Sequence, residues 1–333
     1  MIIESSAPTR IDLAGGTLDI WPLYLFHEHA QTLNAALTLR AYCRIAPRPG
    51  HEVVLRSDDT GTVVTLDGWA SLRTANELKL LGKILHYFEL DGVEVTTRSE
   101  SPVGAGIAGS SALNIAVCGA AARWRGLTLS DTELLQIAMN VEAQTIDVPT
   151  GVQDYRPALY GGVSAVELRV DGIRRVKLDV SAADLGARLV VAYTGASRNS
   201  GINNWDVTKR YIDGDAAVRS SFDEIARIST RLRGALAARD WDAIAGHIRD
   251  EWEARKRLAP GVTTEAIDRL IAGARAAGAS AAKVCGAGGG GCLFCFAPPE
   301  HIPAVRAALR AGGAQVLDCT VDDAGLRIDV REE

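Results

Sequence analysis

Apolar residues recur at near-alternate positions in several short segments of the first part of the chain, and these segments end in clusters of Gly, Pro or Asp. This alternation is typical of β-strands joined by turns. The strands that it predicts are 2–16, 35–48, 51–59, 62–68 and 92–100. A helical spacing occurs at 76–90, and the apolar residues that share one face of this predicted helix are Leu78, Leu81, Ile84, Leu85 and Phe88.

Helical spacing continues after the strand at 92–100. It predicts helices over 112–124 and 131–144, and Ser130 is a suitable N-cap for the second one. The pattern changes at about Arg188, where a second unit begins. Its predicted elements are a strand at 188–195, three helices within 215–277, two strands around a glycine turn at 282–297, a helix at 300–311 and strands at 314–321 and 325–330.

Strand and helix segments are mixed along the chain without strict alternation, which favours an α+β fold over a doubly wound fold. At 333 residues the chain exceeds the size at which a single core stops growing. We therefore expect two domains, at 1–186 and 187–333. Since no low-complexity linker separates them, a tight interface between the two is expected.

The net charge and its distribution along the chain limit the kinds of binding partner that we expect. The formal net charge is -5, and Lys and Arg form no block along the chain. This distribution argues against nucleic-acid or anionic-membrane binding and favours a small soluble partner. The first residues lack a signal-peptide pattern and no window is apolar enough for a membrane helix, so a cytoplasmic location is expected. The oligomeric state stays open between monomer and homodimer.

Six cysteines are too few for a disulfide scaffold, and most of them lie in apolar runs. Cys292 and Cys295 have the C-x-x-C spacing of some metal and redox sites. On a strand, however, positions three apart point to opposite faces, and no second Cys or His pair lies nearby. We therefore interpret them as buried thiols.

The segment 104–111 contains five Gly or Ala residues and two Ser immediately before a predicted helix. Glycine lets the backbone approach a ligand closely, and the N–H groups at a helix N-terminus suit a phosphate. The alternative is a tight strand-to-helix connection in which small residues serve packing. The segment matches neither the P-loop nor the dinucleotide-binding glycine pattern.

Two other segments are also rich in glycine. Residues 286–291 contain five glycines in six positions, more than a hairpin turn requires, which predicts a close backbone contact. Near the N-terminus, Arg10 lies on a strand that enters the Gly15-Gly16 turn, and Asp19 follows that turn.

Phosphoryl transfer also needs a cation site and a group that positions or deprotonates the acceptor. Glu142, near the end of a predicted helix, and Asp154, after a Pro-Thr-Gly turn, are the candidate acids. Each of them alone resembles an ordinary surface carboxylate. Asp147 is interpreted as such a surface group.

Taken together, these segments resemble the GHMP kinase superfamily along nearly the whole chain. The three family motifs are similar to residues 8–19, 102–112 and 283–292. The resemblance implies an N-terminal domain of the ribosomal protein S5 domain 2-like type and a ferredoxin-like C-terminal domain. It also implies that ATP and the acceptor bind between these domains.

The resemblance further implies a role for individual residues. Asp154 would be the catalytic aspartate and Arg10 would stabilise the transferred phosphoryl group, while Ser111 and Glu142 would bind Mg²⁺. The acceptor would contact Asp154, Gly16, Asp19, Gly286, Ala287, Gly288 and Gly289. The ATP phosphates would contact the loop formed by Pro102, Gly104, Ala105, Gly106, Ile107, Ala108, Gly109, Ser110, Ser111 and Ala112.

Within the superfamily, several segments resemble D-glycero-D-manno-heptose 7-phosphate kinases and the related fucokinase-type sugar kinases. The segments are 10–24, 32–45, 151–163 and 190–202. The chain departs from these relatives at Leu18, where they tend to have threonine, and at Ala108 and Gly109, where glycine and serine are usual. Arg198 could bind a phosphate group of the acceptor, or it could form an ion pair on the surface.

The leading hypothesis is thus an ATP- and Mg²⁺-dependent kinase of a sugar or sugar phosphate, acting at the anomeric hydroxyl. Three alternatives stay open. The acceptor could be a non-sugar alcohol such as mevalonate or homoserine. The protein could also be a ligand sensor without turnover, or could carry out the ATP-dependent decarboxylation found in this superfamily.

Overall fold

The computed structural model describes residues 1–197 and 200–332, apart from the side chains of residues 200–203. Its strands are β1 (Ile2–Ala14), β2 (Gln31–Pro47), β3 (Val53–Ser57), β4 (Thr62–Leu66), β5 (Val93–Ser99), β6 (Val163–Arg169), β7 (Gly172–Lys177), β8 (Leu189–Tyr193), β9 (Ala281–Val284), β10 (Cys292–Phe296), β11 (Gln315–Leu317) and β12 (Arg327–Arg331).

The helices are α1 (Lys79–Tyr87), α2 (Gly109–Trp124), α3 (Asp131–Ile146), α4 (Tyr155–Tyr160), α5 (Ala182–Gly186), α6 (Ser200–Ile212), α7 (Ala216–Ala238), α8 (Trp241–Lys256), α9 (Glu265–Ala276) and α10 (Ile302–Ala311). Short 3₁₀ turns lie at Leu23–Phe26, Trp69–Thr74 and Pro299–His301. None of the helices in the described residues is long and apolar enough to cross a bilayer.

The first sheet is built around β2, whose 17 residues pair with three other strands. β1 runs antiparallel along most of its length, β6 pairs with residues 31–35 and β5 pairs with residues 41–47. The strand order is β12-β1-β2-β5-β3-β4, and β7 extends the sheet beyond β6. Residues 2–6 of β1 are therefore held between β2 and β12, and Arg10 lies further along β1, opposite Ala36 of β2.

The second sheet is antiparallel with the order β11-β8-β10-β9. Its strands and the helices between them follow the sequence β8, α6 to α9, β9, β10, α10, β11. This β-α-β-β-α-β arrangement is the ferredoxin-like pattern. The predicted α+β class and the ferredoxin-like character of the second domain are thereby confirmed.

Helix α2 lies against the first sheet and is buried along most of its length. Its buried residues include five alanines and one glycine, so the helix approaches the strands closely, and the Ser5 hydroxyl donates to the Ala116 carbonyl at 2.7 Å. Helix α3 packs beside it and begins at the predicted cap. Ser130 and Glu133 form a reciprocal capping box there. These contacts fix the start of α2 and the path of α3, which both contribute to the site.

An apolar core joins the two domains, as expected. Ile11 of β1, Leu236 of α7 and Phe294 of β10 belong to the same buried cluster. Cys292 also lies in this cluster, whereas Cys295 lies in the core on the other face of β10. The two thiols thus point to opposite faces, and burial raises the pKa of Cys295 to about 12.

The structure also contains elements that the sequence pattern does not predict. Between residues 145 and 187 the pattern predicts none, yet α4, the β6–β7 hairpin and α5 lie there. Helix α4 has six residues including Pro157, too few for a helical spacing to show. The hairpin carries a usable signal, since Asp171-Gly172 is a turn pair between apolar segments. Helix α6 is a further unpredicted element.

The division at 186/187 stays a prediction, to which the structure adds one detail. β12, at the end of the chain, pairs antiparallel with β1. A bridge between Leu37 and Val321 precedes it. The last residues therefore return to the first sheet, although the predicted boundary assigns them to the second domain.

Candidate active site

The glycine loop, residues 102–109, connects β5 to α2 and contains three residues with a positive φ angle. Gly104 and Gly106 have φ angles of 70° and 72°, and Ala108 has a φ of 59°, in the left-handed region that residues with a Cβ rarely adopt. Among the described residues no side chain caps the following helix. The first N–H groups of α2 are therefore open to an anion.

The carbonyl groups of the glycine loop are bound by the two other glycine-rich segments. Arg10 Nη1 donates to the Gly106 carbonyl at 3.2 Å, and the backbone N–H of Cys292 donates to the Ala105 carbonyl at 2.6 Å. A Cβ on Gly291 would lie 2.6 Å from the same Ala105 oxygen, so this approach requires glycine. The close backbone contact predicted for 286–291 thus occurs, and its partner is the glycine loop.

A cleft of about 360 Å³ opens in front of the glycine loop. Most of the predicted ATP-binding residues line it, but Ile107 and Ala112 are fully buried behind the loop. The cleft is completed by residues that the sequence did not single out, and these include Ser57 at the end of β3 and Asp59 and Thr60 in the β3–β4 turn. Arg10, Glu142 and Asp154 also line it.

Glu142 lies on α3 opposite the first turn of α2. Its Oε1 accepts a hydrogen bond from Ser110 Oγ at 2.8 Å, and its Oε2 accepts one from Ser111 Oγ at 3.0 Å. Burial raises the pKa of Glu142, and the two serines and Tyr155 partly counteract that rise. The predicted pair of Ser111 and Glu142 is thus brought together, with Ser110 as an additional hydroxyl.

The chemistry of these donors fits a hard divalent cation. Two hydroxyls and one carboxylate supply oxygen atoms only, and Mg²⁺ is usually held by one or two carboxylates together with substrate phosphates. Within residues 1–197 and 200–332 no cluster of three or more His, Cys, Asp or Glu could hold a metal by itself. A cation at Glu142 would therefore depend on phosphate oxygens of a ligand that binds at the adjacent glycine loop.

Arg10 and Asp154 form an ion pair at the edge of the same cleft. Arg10 Nε and Nη2 both donate to Asp154 Oδ1, at 2.9 and 2.6 Å. The Asp154 side chain is 29% exposed, whereas that of Arg10 is 3% exposed. In the described part of the chain no hydrogen bond reaches Asp154 Oδ2. This oxygen is accordingly available to a substrate hydroxyl.

The charge on Arg10 is stabilised by its neighbours. Burial opposes the charged form, but the carboxylates of Asp154 and Asp12 outweigh this effect and raise the pKa of Arg10. A guanidinium held in this way is a fixed positive charge beside the glycine loop. Such a charge can stabilise a phosphoryl group during transfer.

Asp19 is 1% exposed and lies directly behind Asp154. Its carboxylate accepts hydrogen bonds from the backbone N–H of Gln153 at 2.9 Å and from Gln153 Nε2 at 3.3 Å. Burial and the nearby Asp154 carboxylate raise the pKa of Asp19 to about 6. A Cβ at Gly151 would lie 2.1 Å from Asp19 Oδ2, so the turn before Asp154 wraps tightly around this side chain.

The acceptor contacts predicted for residues 286–291, the third glycine segment in chain order after the Gly15-Gly16 turn and the glycine loop, stay predictions. The backbone N–H of Gly286 donates to Asp12 Oδ1 at 3.0 Å, and that of Gly289 donates to the Val262 carbonyl at 2.8 Å. Ala287 lines a narrow cavity of about 10 Å³, which is room for about one water molecule. A Cβ on Gly288 would lie 2.5 Å from the Val262 carbonyl.

Asp147 and Gly16 lie within the described residues, whereas Arg198 does not. Asp147 ends α3 on the surface, where Lys79 Nζ lies 3.2 Å from its carboxylate, in agreement with its interpretation as a surface group. Gly16 lies at the first glycine turn, and its carbonyl accepts a hydrogen bond from Arg255 Nη2 at 2.9 Å.

A buried charge cluster that the sequence pattern does not predict is formed by Asp12, Glu251, Arg255 and Lys283, all at most 1% exposed. Lys283 Nζ lies 3.1 Å from Asp12 Oδ2 and 2.7 Å from Glu251 Oε2. Arg255 Nη2 lies 2.5 Å from Glu251 Oε1 and 3.4 Å from Asp12 Oδ2. The charges of two carboxylates and two cationic side chains thus neutralise one another at a place that solvent does not reach.

The buried charge cluster connects the first and third glycine segments to α8. Burial alone would raise the pKa of Asp12, but Lys283 and Arg255 lower it well below its usual range. Asp12 Oδ1 also lies 4.0 Å from Arg10 Nη1. Lys283 could have been singled out, because it is a charge within an apolar strand. Glu251 and Arg255 give no such signal on a helix that carries many charges.

Two family models match the chain. The model described as GHMP kinases N terminal domain matches residues 73–162, which include the glycine loop, Glu142 and Asp154. The model described as GHMP kinases C terminal matches residues 232–315, which include the buried Lys283 and the third glycine segment. Together these matches cover just over half of the chain.

Similar proteins extend over the whole length. The chain is 26% identical to the D-glycero-alpha-D-manno-heptose 7-phosphate kinase of Campylobacter jejuni, over 98% of both sequences. It is 27% identical to the mevalonate kinase of Pyrococcus abyssi, over 99% of both.

A solved structure with the same fold is the D-glycero-D-manno-heptose 1-phosphate kinase from Bacteriodes thetaiotaomicron. The two superpose with a TM-score of 0.80 at 23% identity, over 99% of this chain and 100% of that chain. At this identity the likeness shows the fold alone. Family models and fold agree, and the chain belongs to the GHMP kinases.

Proposed function

We propose that the protein transfers the γ-phosphoryl group of ATP to a hydroxyl of a sugar or sugar phosphate. The observation that carries this proposal is the Arg10–Asp154 ion pair at the edge of the cleft in front of the glycine loop. It combines a fixed cation, a carboxylate with one free oxygen and a backbone surface suited to phosphate. Phosphoryl transfer depends on such positioning and charge stabilisation.

Asp154 would accept the proton of the attacking hydroxyl through Oδ2, while its Oδ1 stays bound to Arg10. The acceptor oxygen forms a bond to the γ-phosphorus, the bond from that phosphorus to the β–γ bridging oxygen breaks, and ADP leaves. Arg10 would stabilise the negative charge on the transferred group. The open N-terminus of α2 would bind phosphate oxygens of ATP.

Mg²⁺ bound at Ser111 and Glu142 would neutralise the charge of the ATP phosphates. Ser110 reaches the other oxygen of the same carboxylate, so it would orient Glu142 for this role.

A sugar phosphate is the acceptor that the relatives favour. The Campylobacter jejuni heptose 7-phosphate kinase is similar over nearly the whole of both chains. Asp19, behind Asp154, would hold a sugar hydroxyl or keep Gln153 in place beside it. A non-sugar alcohol is the second candidate, because mevalonate kinases are similar over the same length.

Coupled measurement of ADP release tests the proposal. The purified chain, ATP and Mg²⁺ would be incubated with D-glycero-D-manno-heptose 7-phosphate, fucose, galactose, glucuronate, mevalonate and homoserine in separate reactions. We expect release with a sugar or sugar phosphate. Release with mevalonate or homoserine alone would replace the sugar by the second candidate, and ATP binding without release for any acceptor would contradict the kinase proposal.

A further inference from the structure

A second cleft, of about 410 Å³, lies beside the candidate active site and contains two arginines without acidic partners. It is bounded by α3, α4, the β6–β7 hairpin and the 3₁₀ turn after Asp19. In the described residues, neither Arg156 nor Arg175 has a carboxylate within 4.0 Å. Neighbouring arginines differ, since Arg169 pairs with Glu167.

The hydrogen-bonding capacity of both guanidinium groups is only partly used. Arg156 Nη1 donates to the Val152 carbonyl at 2.5 Å, and Arg175 Nη2 donates to the Gly161 carbonyl at 3.0 Å. Arg175 Nε is buried and has no partner among the described residues. Burying a charged donor without a partner is costly, and an anion in the cleft would remove that cost.

Tyr160 brings the two arginines to one place. The Arg175 guanidinium lies 5.2 Å from the centre of the Tyr160 ring. Burial and Asp131 raise the pKa of the Tyr160 hydroxyl, and the charges of Arg156 and Arg175 partly oppose this rise. Arg156 and Arg175 are both partly buried, and this burial lowers the pKa of each. A pair of planar, partly buried guanidinium groups is suited to a phosphate.

The rest of the cleft suits a carbon skeleton. Trp21 lies at this cleft and is 67% exposed, although large aromatic side chains are usually buried. Its flat ring can pack against a sugar while the arginines hold a phosphate. Arg156 follows Asp154 by two residues and is close enough to Asp19 for that carboxylate to favour its charge.

We propose that the Arg156–Arg175 cleft binds a phosphate monoester of a sugar, with Trp21 against the carbon skeleton. The monoester could be the phosphorylated end of the acceptor itself, an assignment that rests on the proposed function. It could also be a separate sugar phosphate that binds without being consumed.

Titration calorimetry without ATP tests the site independently of turnover. The probes are mannose 6-phosphate and inorganic phosphate, with mannose as the uncharged control. We expect saturable binding of the phosphorylated sugar that weakens about tenfold or more in Arg175→Gln and in Arg156→Gln, because each loses a charge-assisted hydrogen bond. Arg174→Gln is the matched control. It removes the same charge from the same hairpin, where Arg174 is exposed and pairs with Asp171.

Kinetics then distinguish the two sources of the phosphate. If the acceptor supplies it, Arg175→Gln raises KM for heptose 7-phosphate about tenfold and leaves KM for ATP unchanged, and Arg156→Lys restores part of the affinity lost in Arg156→Gln. If a separate ligand supplies it, the same variants lose binding of mannose 6-phosphate while KM for the acceptor is unchanged.

The proposal is overturned if mannose 6-phosphate shows no saturable binding, or if Arg175→Gln and Arg174→Gln bind it equally well. Arg175→Gln carries the test should Arg156→Gln fail to fold, since Arg156 also supports the turn before α4. Failure of this site would leave ADP release intact, and failure of the kinase proposal would leave the calorimetric result intact, so the two are separable.

Discussion

The glycine loop and the buried charge cluster meet at Arg10 but are built in opposite ways. The loop consists of neighbouring residues, works through its backbone and lines an open cleft. The cluster consists of Asp12, Glu251, Arg255 and Lys283, works through side-chain charge and excludes solvent. The surface suited to phosphate is thus formed by residues that are close in sequence. The framework that positions Arg10 beside it is formed by residues that are far apart in sequence.

Lys283→Met should have the largest effect on folding. It removes one cation from between Asp12 and Glu251, and breaking a buried ion pair costs about 3–5 kcal/mol because a charge is left uncompensated. Urea unfolding at pH 7.5 measures the loss. The matched control is Lys79→Met, which removes an exposed pair with Asp147 and should cost less than about 1 kcal/mol. Equal losses in the two variants would show that the cluster is not a framework.

Asp154→Asn should act on turnover rather than on folding. The amide cannot accept the hydroxyl proton, so kcat should fall by about 10²–10⁴-fold while ATP still binds. ADP release and nucleotide titration measure the two properties separately. Asp147→Asn serves as the control and should retain full turnover, since Asp147 lies on the surface. Unchanged turnover in Asp154→Asn would remove this carboxylate from the mechanism.

Asp19→Asn should stabilise the protein at neutral pH. The pKa of Asp19 is raised to about 6 from its ordinary 3.8, so the folded state binds the proton more tightly and its stability falls as pH rises through this window. An amide avoids this cost. We expect a gain of about 3 kcal/mol at pH 7.5, since the pKa is raised by about two units and each unit corresponds to about 1.4 kcal/mol.

The same variant tests the pH dependence. The gain should shrink to nothing below about pH 3, where the pH is well under the ordinary pKa of 3.8 and Asp19 is protonated in both the folded and the unfolded state. Urea unfolding at the two pH values measures it, and acceptor KM in the same variant shows whether the carboxylate also serves binding. A gain that is equal at both pH values would contradict the shift of Asp19.

Ala108→Gly should give the smallest effect. The residue has a φ of 59°, which costs a residue with a Cβ about 1–2 kcal/mol, and glycine relieves most of this at some cost in unfolded-state entropy. A net gain of about 0.5 kcal/mol is expected in thermal unfolding. Ala237→Gly, on an exposed helical position of α7, should instead lose about 1 kcal/mol. A loss in both variants would mean that the loop conformation is not strained.

Local signals in the sequence predicted the parts of the fold that depend on neighbouring residues. The capping box at Ser130, the alternation along β1 and the small residues of the glycine loop are of this kind. Helix α4 was not predicted, because six residues are too few to show a helical periodicity. The roles assigned to Arg10, Ser111, Glu142 and Asp154 stay predictions, though the structure brings all four to one cleft.

The buried charge cluster could not be predicted, because nothing in the sequence pairs Asp12 with Lys283 across the intervening chain. A charged residue on a helix is ordinarily a surface residue, and it is the packing of α8 against α7, β9 and β1 that makes Glu251 and Arg255 internal. The arginines of the second cleft escaped for the same reason, since their lack of acidic partners is a property of the folded chain.

The pairing of β12 with β1 has a consequence for synthesis. The first strand to leave the ribosome receives this neighbour only when residues 327–331 have been made. At about 5–20 residues per second, one edge of β1 stays unpaired for tens of seconds. An unpaired strand edge is a template for association with other chains. Truncation before residue 327 should thus favour aggregation of the protein even where the active-site cleft is intact.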